Sequence, residues 1–269
     1  MRYDPIKRTI DRYVGSSPSR RRLLYRLLDI LLLRSWHVRR ALSSAASDMP
    51  KSSHVLDAGC GFGQYSWNMA RRHKGWHIDA VDIEPSHIES CGEFFERCGL
   101  GGRINCTVAD ILDLNDKERY HLAVIVDVLE HISDDRRVIA NLYRSLKPGG
   151  RLIISTPSDM GGSDVHSHDE SSFIDEHVRY GYNIDELKGM LSAAGFSRVT
   201  ASYTYGRAGS LSWRISMKYP VMMLNLSKIF FLLLPLYYIV VIMPALVLNL
   251  ADLYMRNRGG TGLIVTAEK

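Results

Sequence analysis

The residues best suited to chemistry in this 269-residue chain follow a short apolar run. The segment Val55-Leu-Asp-Ala-Gly-Cys-Gly-Phe-Gly63 places three glycines two residues apart, with Asp57 two residues before the first of them. Glycine permits a tight turn and lets the backbone approach a ligand, because it has no Cβ. Gln64 stands where a dinucleotide-binding G-x-G-x-x-G motif needs its last glycine, so the loop differs from that fingerprint. Asp57 can orient a bound cation or ammonium group.

Further aspartates follow other apolar runs. Asp82 ends the run 78–82, nineteen residues after Gly63, where a carboxylate can accept hydrogen bonds from ribose hydroxyls. Asp110 and Asp127 end two later runs. Each of these aspartates could instead cap a helix or end a strand in solvent. Their role therefore depends on whether the fold brings them to one edge.

Short apolar stretches alternate with helical patterns through the middle of the chain. The predicted strands are 54–57, 78–82, 104–110, 122–128, 152–155 and 262–268, and the predicted helices are 64–72, 88–97, 138–146 and about 184–194. This alternation predicts a parallel sheet with helices on both faces. Ligands bind such sheets outside the carboxyl ends of the strands, so we expect the glycines and aspartates to meet there.

Five motifs in register resemble those of the class I S-adenosylmethionine-dependent methyltransferases, particularly the ubiquinone-biosynthesis-like or methyltransferase type 11 group. They are Val55 to Gly63, Val81-Asp-Ile83, Ala109-Asp-Ile111, Asp127-Val-Leu-Glu-His-Ile132 and Leu146-Lys-Pro-Gly-Gly-Arg-Leu-Ile-Ile154. The resemblance covers about 54–200 and the final strand. It implies an α/β fold with a Rossmann-like seven-stranded sheet whose last strand is antiparallel. This chain adds an N-terminal helical arm and an apolar helical insertion before that strand.

The resemblance also implies that S-adenosylmethionine is the cofactor, and it assigns residues to each part of it. Asp57 would help hold the amino group of the methionine moiety, and Gly59, Cys60, Gly61 and Gly63 would lie near that moiety. Asp82 would bind the ribose, and the other residues near the adenosine would be Ile83, Asp110 and Ile111. Asp127 and Val128 would lie near the sulfonium.

Methyl transfer from a sulfonium is an in-line displacement, so alignment of the reacting atoms supplies much of the rate. A general base matters only if the acceptor must lose a proton, as a hydroxyl does. The catalytic candidates are His131, His177 and Asp127, although either histidine could instead pack or cap locally. His166 and His168 lie one residue apart in a polar stretch and are expected to be solvated, so we predict no metal.

Positive charge is concentrated in residues 1–50, which hold eleven Lys and Arg against four acids, whereas the rest of the chain holds 23 against 25. A basic arm suits anionic lipid headgroups or nucleic acid, and charge alone does not separate them. Basic and aromatic residues do not interleave near the predicted pocket, so we expect no nucleic-acid partner.

The four cysteines have no zinc spacing, and no secretory signal is evident. Both observations favour a cytoplasmic or cytoplasm-facing protein.

The stretch 229–251 contains no charged residue, and about 20 apolar residues suffice for a transmembrane helix. The final strand must nevertheless return to the sheet, which argues against a single crossing. We therefore expect a re-entrant or surface-lying helical hairpin with basic flanks. Those flanks are Arg214, Lys218, Lys228, Arg256 and Arg258. The alternative is a soluble hairpin that covers the sheet or forms a dimer interface.

Together these patterns predict a basic amphipathic helical arm at 1–50, a cofactor-binding methyltransferase domain at 51–206 and 260–269, and a membrane-associating hairpin at 207–259. The expected function is methylation of a lipid, prenylated or lipid-linked acceptor at the cytoplasmic face of a membrane, preferably on oxygen. Two alternatives stay open. One is a soluble small-molecule methyltransferase whose insertion forms a homodimer, and the other is a non-catalytic cofactor-binding membrane scaffold.

Overall fold

The computed structural model describes residues 17–161, 178–227 and 229–269. Its strands are β1 (His54–Ala58), β2 (His77–Asp82), β3 (Ile104–Val108), β4 (Tyr120–Val126), β5 (Leu146–Pro157), β6 (Ser197–Thr204) and β7 (Gly262–Glu268). They form one seven-stranded sheet in the order β3-β2-β1-β4-β5-β7-β6. Strand β7 is antiparallel to both of its neighbours, while β1 to β5 pair in parallel. The expected seven-stranded α/β sheet with an antiparallel last strand is confirmed.

Helices pack on both faces of this sheet. They are α1 (Pro18–Leu31), α2 (Leu33–Ala46), α3 (Gln64–Arg72), α4 (Pro85–Arg97), α5 (Asp135–Ser145), α6 (Ile184–Ala193), α7 (Arg207–Trp213), α8 (Tyr219–Leu226) and α9 (Phe230–Tyr254). A π-helical turn, Arg214–Lys218, joins α7 to α8, and short 3₁₀ helices span Ile111–Asp113 and Leu129–His131.

Alternate residues of the central strand β4 enter two separate hydrophobic clusters. Leu122 and Val124 pack with residues of α1 to α4, whereas Ala123 and Ile125 pack with residues of α5 and α6. A strand that is buried on both faces typically has a continuous run of apolar residues, and β4 has such a run. The carboxyl ends of β1, β2 and β4 therefore share one edge, which positions the loops that follow them.

The N-terminal helices α1 and α2 belong to this core, which differs from the expectation of a separate basic arm. Tyr25 and Val38 are 1% and 0% exposed and pack against the sheet and its helices. The buried Arg21 donates to the carbonyl oxygens of Ser90 and Phe62. Part of the positive charge of residues 1–50 is thus buried and forms hydrogen bonds within the protein.

The apolar insertion lies between β6 and β7 and folds back on itself. Ser212 Oγ in α7 donates to the carbonyl oxygen of Ala245, and the Tyr237 hydroxyl in α9 donates to that of Ile215. These contacts pair the two arms of the insertion in antiparallel fashion. Among the described residues, α9 is the one helix long and apolar enough to cross a membrane by length and composition. Lys228 lies outside the described residues.

Candidate active site

The glycine loop after β1 lies at the carboxyl edge of the sheet. Gly59, Gly61 and Gly63 have φ angles of 76°, 50° and 74°, a region that strains residues with a Cβ. A Cβ on Gly59 would lie 2.4 Å from the Val128 side chain, so the loop packs closely on the segment after β4. A Cβ on Gly61 would meet nothing within 4 Å. That side of the loop is open to a ligand.

Asp57 lies in β1 directly before this loop and is 2% exposed. Its carboxyl group accepts a 2.5 Å hydrogen bond from the Ser66 hydroxyl. Burial raises the pKa of Asp57 to about 6, although the hydrogen bonds from Ser66 oppose the change. A nearby cation would favour the ionised form, so this buried acid is suited to hold an ammonium group.

Asp82 links the end of β2 to the glycine loop. Its Oδ2 accepts from the Gly61 amide at 2.8 Å, and its Oδ1 accepts from the Glu84 amide at 2.9 Å. Burial opposes ionisation, but hydrogen bonds from His87 and these amides outweigh it and lower the pKa of Asp82. The adjacent Ile83 is 56% exposed. The pair combines a hydrogen-bond acceptor for hydroxyl groups with an apolar surface for a flat ring.

Asp110 follows β3 and caps a short helix, which is one of the two structural roles considered for the aspartates. Its Oδ1 accepts from the Leu112 amide at 2.8 Å and begins the short helix that contains Ile111. The Ala109 amide donates to the Asp82 carbonyl oxygen, which holds this segment beside the end of β2. Ile111 is only 6% exposed and packs in the core. Asp110 is therefore near Asp82, while Ile111 contributes mainly to packing.

An ion pair joins Asp127, after β4, to Arg34 at the start of α2. Asp127 has a φ of 51°, which is uncommon for a residue with a side chain and is often found at functional sites. Arg34 Nε is buried and has no hydrogen-bond partner among the described residues. Arg34 was not among the predicted site residues, because in the sequence it is one of eleven basic residues within 1–50. A buried cationic donor at this edge can bind an anionic ligand group.

Glu130 and His131 lie in the short helix after Asp127. Glu130 is 1% exposed and accepts a 3.0 Å hydrogen bond from Thr156 Oγ1. Burial raises the pKa of Glu130, and the neighbouring charges of His131 and Arg34 oppose the change. Glu130 belongs to the motif 127–132 but was not among the predicted site residues, because its burial could not be inferred from spacing. The half-buried His131 is thus placed beside a buried carboxyl group.

His177, the second predicted base, lies outside the described residues. The amides of Val178 and Arg179, which follow it, donate to the Glu130 carbonyl oxygen at 3.1 and 3.2 Å. The described start of this segment therefore contacts the same short helix that carries His131.

Metal ligands are not clustered in the described ranges, where no group of three or more His, Cys, Asp or Glu residues could hold an ion. His166 and His168 lie outside those ranges. All four cysteines are free thiols, and Cys60 in the glycine loop is 6% exposed.

The sequence matches known methyltransferases. Residues 55–150 match the family described as a methyltransferase domain. A ubiquinone biosynthesis O-methyltransferase of Rickettsia prowazekii (strain Madrid E) is 27% identical over 180 residues, which cover 59% of this chain and 69% of the relative. The enzyme of the same name from Coxiella burnetii (strain Dugway 5J108-111) is 35% identical over 106 residues, which cover 39% of this chain and 44% of the relative.

Two solved structures share the fold. A putative sarcosine dimethylglycine methyltransferase from Galdieria sulphuraria has a TM-score of 0.59 and 18% identity, over 88% of this chain and 84% of that one. Phosphoethanolamine N-methyltransferase 2 from Haemonchus contortus, in complex with S-adenosyl-L-methionine, has a TM-score of 0.63 and 16% identity, over 98% and 59%. The matched domain, the relatives, the strand order and the open glycine loop agree: this chain is a class I S-adenosylmethionine-dependent methyltransferase, and S-adenosylmethionine is its cofactor.

Proposed function

We propose that this enzyme works at a membrane surface and methylates a lipid, prenylated or lipid-linked acceptor, with transfer to oxygen. The observation that carries the proposal is an apolar stripe on α9. The exposed fractions of its side chains are Leu232 75%, Leu236 64%, Ile239 71%, Val240 72%, Met243 64% and Val247 62%. These residues recur three or four positions apart and so share one helix face. A contiguous exposed apolar surface marks a membrane or protein contact.

The opposite side of α9 is fixed to the catalytic domain through Asp252, which is 0% exposed. Its Oδ2 accepts from the Gly206 amide at 2.8 Å, and its Oδ1 lies 3.0 Å from His37 Nε2 in α2. Burial opposes ionisation of Asp252, but His37 and the amides of Gly206 and Gly209 lower its pKa. A buried carboxylate with this many donors holds α9 in one orientation relative to α2 and β6.

The stripe favours a helix that lies along the membrane surface. Beyond Val247 the exposed side continues to Tyr254, which is 70% exposed, so from Leu232 it extends over about 33 Å at 1.5 Å per residue. A helix whose apolar face is exposed along its whole length, with the other face packed on its own domain, suits burial in the interface. Arg214 and Arg256 lie within the insertion, near its two ends, and basic residues near an anionic surface contribute about 1 kcal/mol each.

The hydrogen-bonding groups of the described residues fit the cofactor, which supplies the methyl group as a sulfonium. We assign its ammonium to Asp57 and its carboxylate to Arg34, whose Nε has no other partner among the described residues. Asp82 accepts the ribose hydroxyls, and Ile83 packs on the adenine. The remaining residues assigned to the cofactor pocket are Gly59, Cys60, Gly61, Gly63, Asp110, Asp127 and Val128.

For a hydroxyl acceptor we assign the general base to His131. It follows Asp127 on the loop after β4, and proton removal by a positioned base contributes typically about 10²–10⁴-fold. A His131→Ala variant should therefore lose kcat while its affinity for S-adenosylhomocysteine stays within about twofold of wild type. Equal kcat values would remove His131 from this role and leave His177 as the predicted base.

The test of the whole proposal is methyl transfer from labelled cofactor into a total extract of host cells, followed by organic–aqueous partition. Label in the organic phase that is lost in Asp57→Asn, but kept in the exposed-surface control Arg136→Ala, would support a lipidic acceptor. Label confined to the aqueous phase would contradict that acceptor and favour the soluble enzyme whose stripe forms a homodimer. No transfer with retained cofactor binding would favour the scaffold.

A further inference from the structure

A pocket of about 440 Å³ opens at the base of the insertion. Its walls come from α7, from the segment after β5 and from the segment just before β7. It therefore lies at the same carboxyl edge of the sheet as the candidate active site, on the side where the insertion leaves and rejoins the domain.

Two arginines give this pocket its charge. Arg207 begins α7 and Arg214 begins the π-helical turn that continues it, and both line the pocket. They stand seven residues apart, about two helical turns, so they lie on the same side of this continuous helical stretch. Both are exposed, and within the described ranges neither forms an ion pair, unlike Arg34, which is paired with Asp127. Ser210, between them on that side, adds a hydroxyl oxygen to the same wall.

No described acidic side chain lines the pocket. The buried Asp252 lies behind the pocket wall, where it is satisfied by His37 and by backbone amides of the insertion. The facing wall is formed partly by backbone, since a Cβ on Gly260 would lie 2.2 Å from the Thr204 carbonyl oxygen. The pocket is therefore cationic on one side and without side chains on part of the other, which leaves room for a compact anion.

Apolar side chains border the cationic wall. Leu211 and Met160 line the pocket and are 48% and 56% exposed. Leu211 is on α7, which packs against the same α9 that carries the apolar stripe. A ligand that joins an anionic group to an apolar chain would match both features.

Tyr205 places the pocket next to the active site. It lines the pocket, and its hydroxyl accepts a 3.1 Å hydrogen bond from the Arg34 amide. Arg34 in turn forms the ion pair with Asp127. Arg34 thus links Tyr205 of the pocket to Asp127, which lies just before the short helix that contains His131.

We propose that this pocket binds a phosphate group carried on a lipid, with the two guanidinium groups of Arg207 and Arg214 as its ligands. Guanidinium groups bind phosphate oxygens through paired, charge-assisted hydrogen bonds. The apolar chain of the same lipid lies along Leu211 toward the insertion. The inference rests on the proposed function, because it specifies the class of lipid that the membrane-bound enzyme accepts.

The test compares two soluble short-chain probes that differ only in phosphate, dihexanoyl phosphatidic acid and dihexanoylglycerol. Binding to the full-length protein, saturated with S-adenosylhomocysteine, is measured by calorimetry. We expect wild type to prefer the phosphate probe, and Arg207→Ala/Arg214→Ala to bind it at least about tenfold more weakly. The matched control Lys117→Ala/Arg136→Ala removes two exposed cations elsewhere and should bind as wild type does. Unchanged affinity for S-adenosylhomocysteine verifies folding of each variant.

Equal binding of both probes by wild type, or equal binding of the phosphate probe by wild type and the double variant, would overturn the proposal. Flotation with phosphatidylcholine vesicles that contain one-fifth phosphatidylglycerol identifies the source of the phosphate. If Arg207→Ala/Arg214→Ala loses flotation together with probe binding, the phosphate belongs to bulk bilayer headgroups. If this variant loses probe binding but keeps flotation, the phosphate belongs to the lipid acceptor. Neither readout requires methyl transfer, so failure of the proposed enzymatic function is recognised separately.

Discussion

Arg34 in α2 is ion-paired with Asp127 beyond β4, so an N-terminal helix supplies a cation to the edge where the glycine loop and the aspartates meet. Its Nε is a buried donor that has no hydrogen-bond partner among the described residues. We expect Arg34→Ala to weaken S-adenosylhomocysteine binding by at least about tenfold, because a charge-assisted contact to the carboxylate is lost. Calorimetry measures this, with the exposed Arg26→Ala as control. Equal affinities for Arg34→Ala and wild type would contradict the assignment.

The buried Asp57 should make stability of the unliganded protein depend on pH. Its pKa is about 6 in the folded protein against 3.8 in the unfolded chain. Between these values the folded state keeps a proton that the unfolded state releases, so the free energy of unfolding falls as pH rises through that window. Asp57→Asn should remove this part of the pH dependence. Urea unfolding at pH 4 and pH 7 measures it; parallel curves for wild type and variant would refute the assigned shift.

Cofactor affinity should show the opposite dependence. An ammonium group bound at Asp57 needs the ionised carboxylate, so affinity should rise with pH and level off above about 6. Below that value it should fall by up to about tenfold per pH unit. Titration of S-adenosylhomocysteine between pH 5 and 8 measures the profile. A profile in wild type as flat as that of Asp57→Asn would exclude Asp57 as the ammonium partner.

Asp252 should be a determinant of stability. A buried donor left without its acceptor typically costs about 1–3 kcal/mol, and Asp252→Ala leaves His37 and several amides of the insertion without their acceptor. Asp48→Ala is the control, because Asp48 is 68% exposed in its pair with Arg151 and its loss should change little. Urea unfolding of the two variants measures the difference. Similar losses in both would show that Asp252 does not fix α9 to the domain.

The apolar stripe should determine membrane binding. Leu232→Ser/Leu236→Ser/Ile239→Ser removes three exposed apolar side chains from α9, so flotation with phosphatidylcholine–phosphatidylglycerol vesicles should be lost while S-adenosylhomocysteine affinity is kept. Val108→Ser, on the far edge strand β3 and also exposed, is the control. Flotation unchanged in the triple variant would contradict a membrane-facing stripe. A shift from dimer to monomer in the same variant would favour the dimer interface.

The sheet and the glycine loop could be predicted from local patterns, because strand periodicity and glycine spacing are properties of neighbouring residues. The predicted start of the fourth strand at Leu122 differs from the observed start at Tyr120 by two residues. Arg34 and Glu130 could not be found this way. Their roles depend on burial and on contacts between distant segments, such as the pairing of α2 with the loop after β4. Ile111 was assigned to the adenine by motif position, but packing directs it into the core.

The insertion leaves the sheet from β6 and returns on β7, and these strands are antiparallel neighbours with Thr204 opposite Gly262. Its two ends therefore lie side by side, where a simple turn would be enough to connect the strands. The closure entropy of a loop grows only slowly with its length, so the cost of accommodating more than fifty residues there is small. The length and surface of the insertion can therefore change during evolution while the strands of the sheet keep their register.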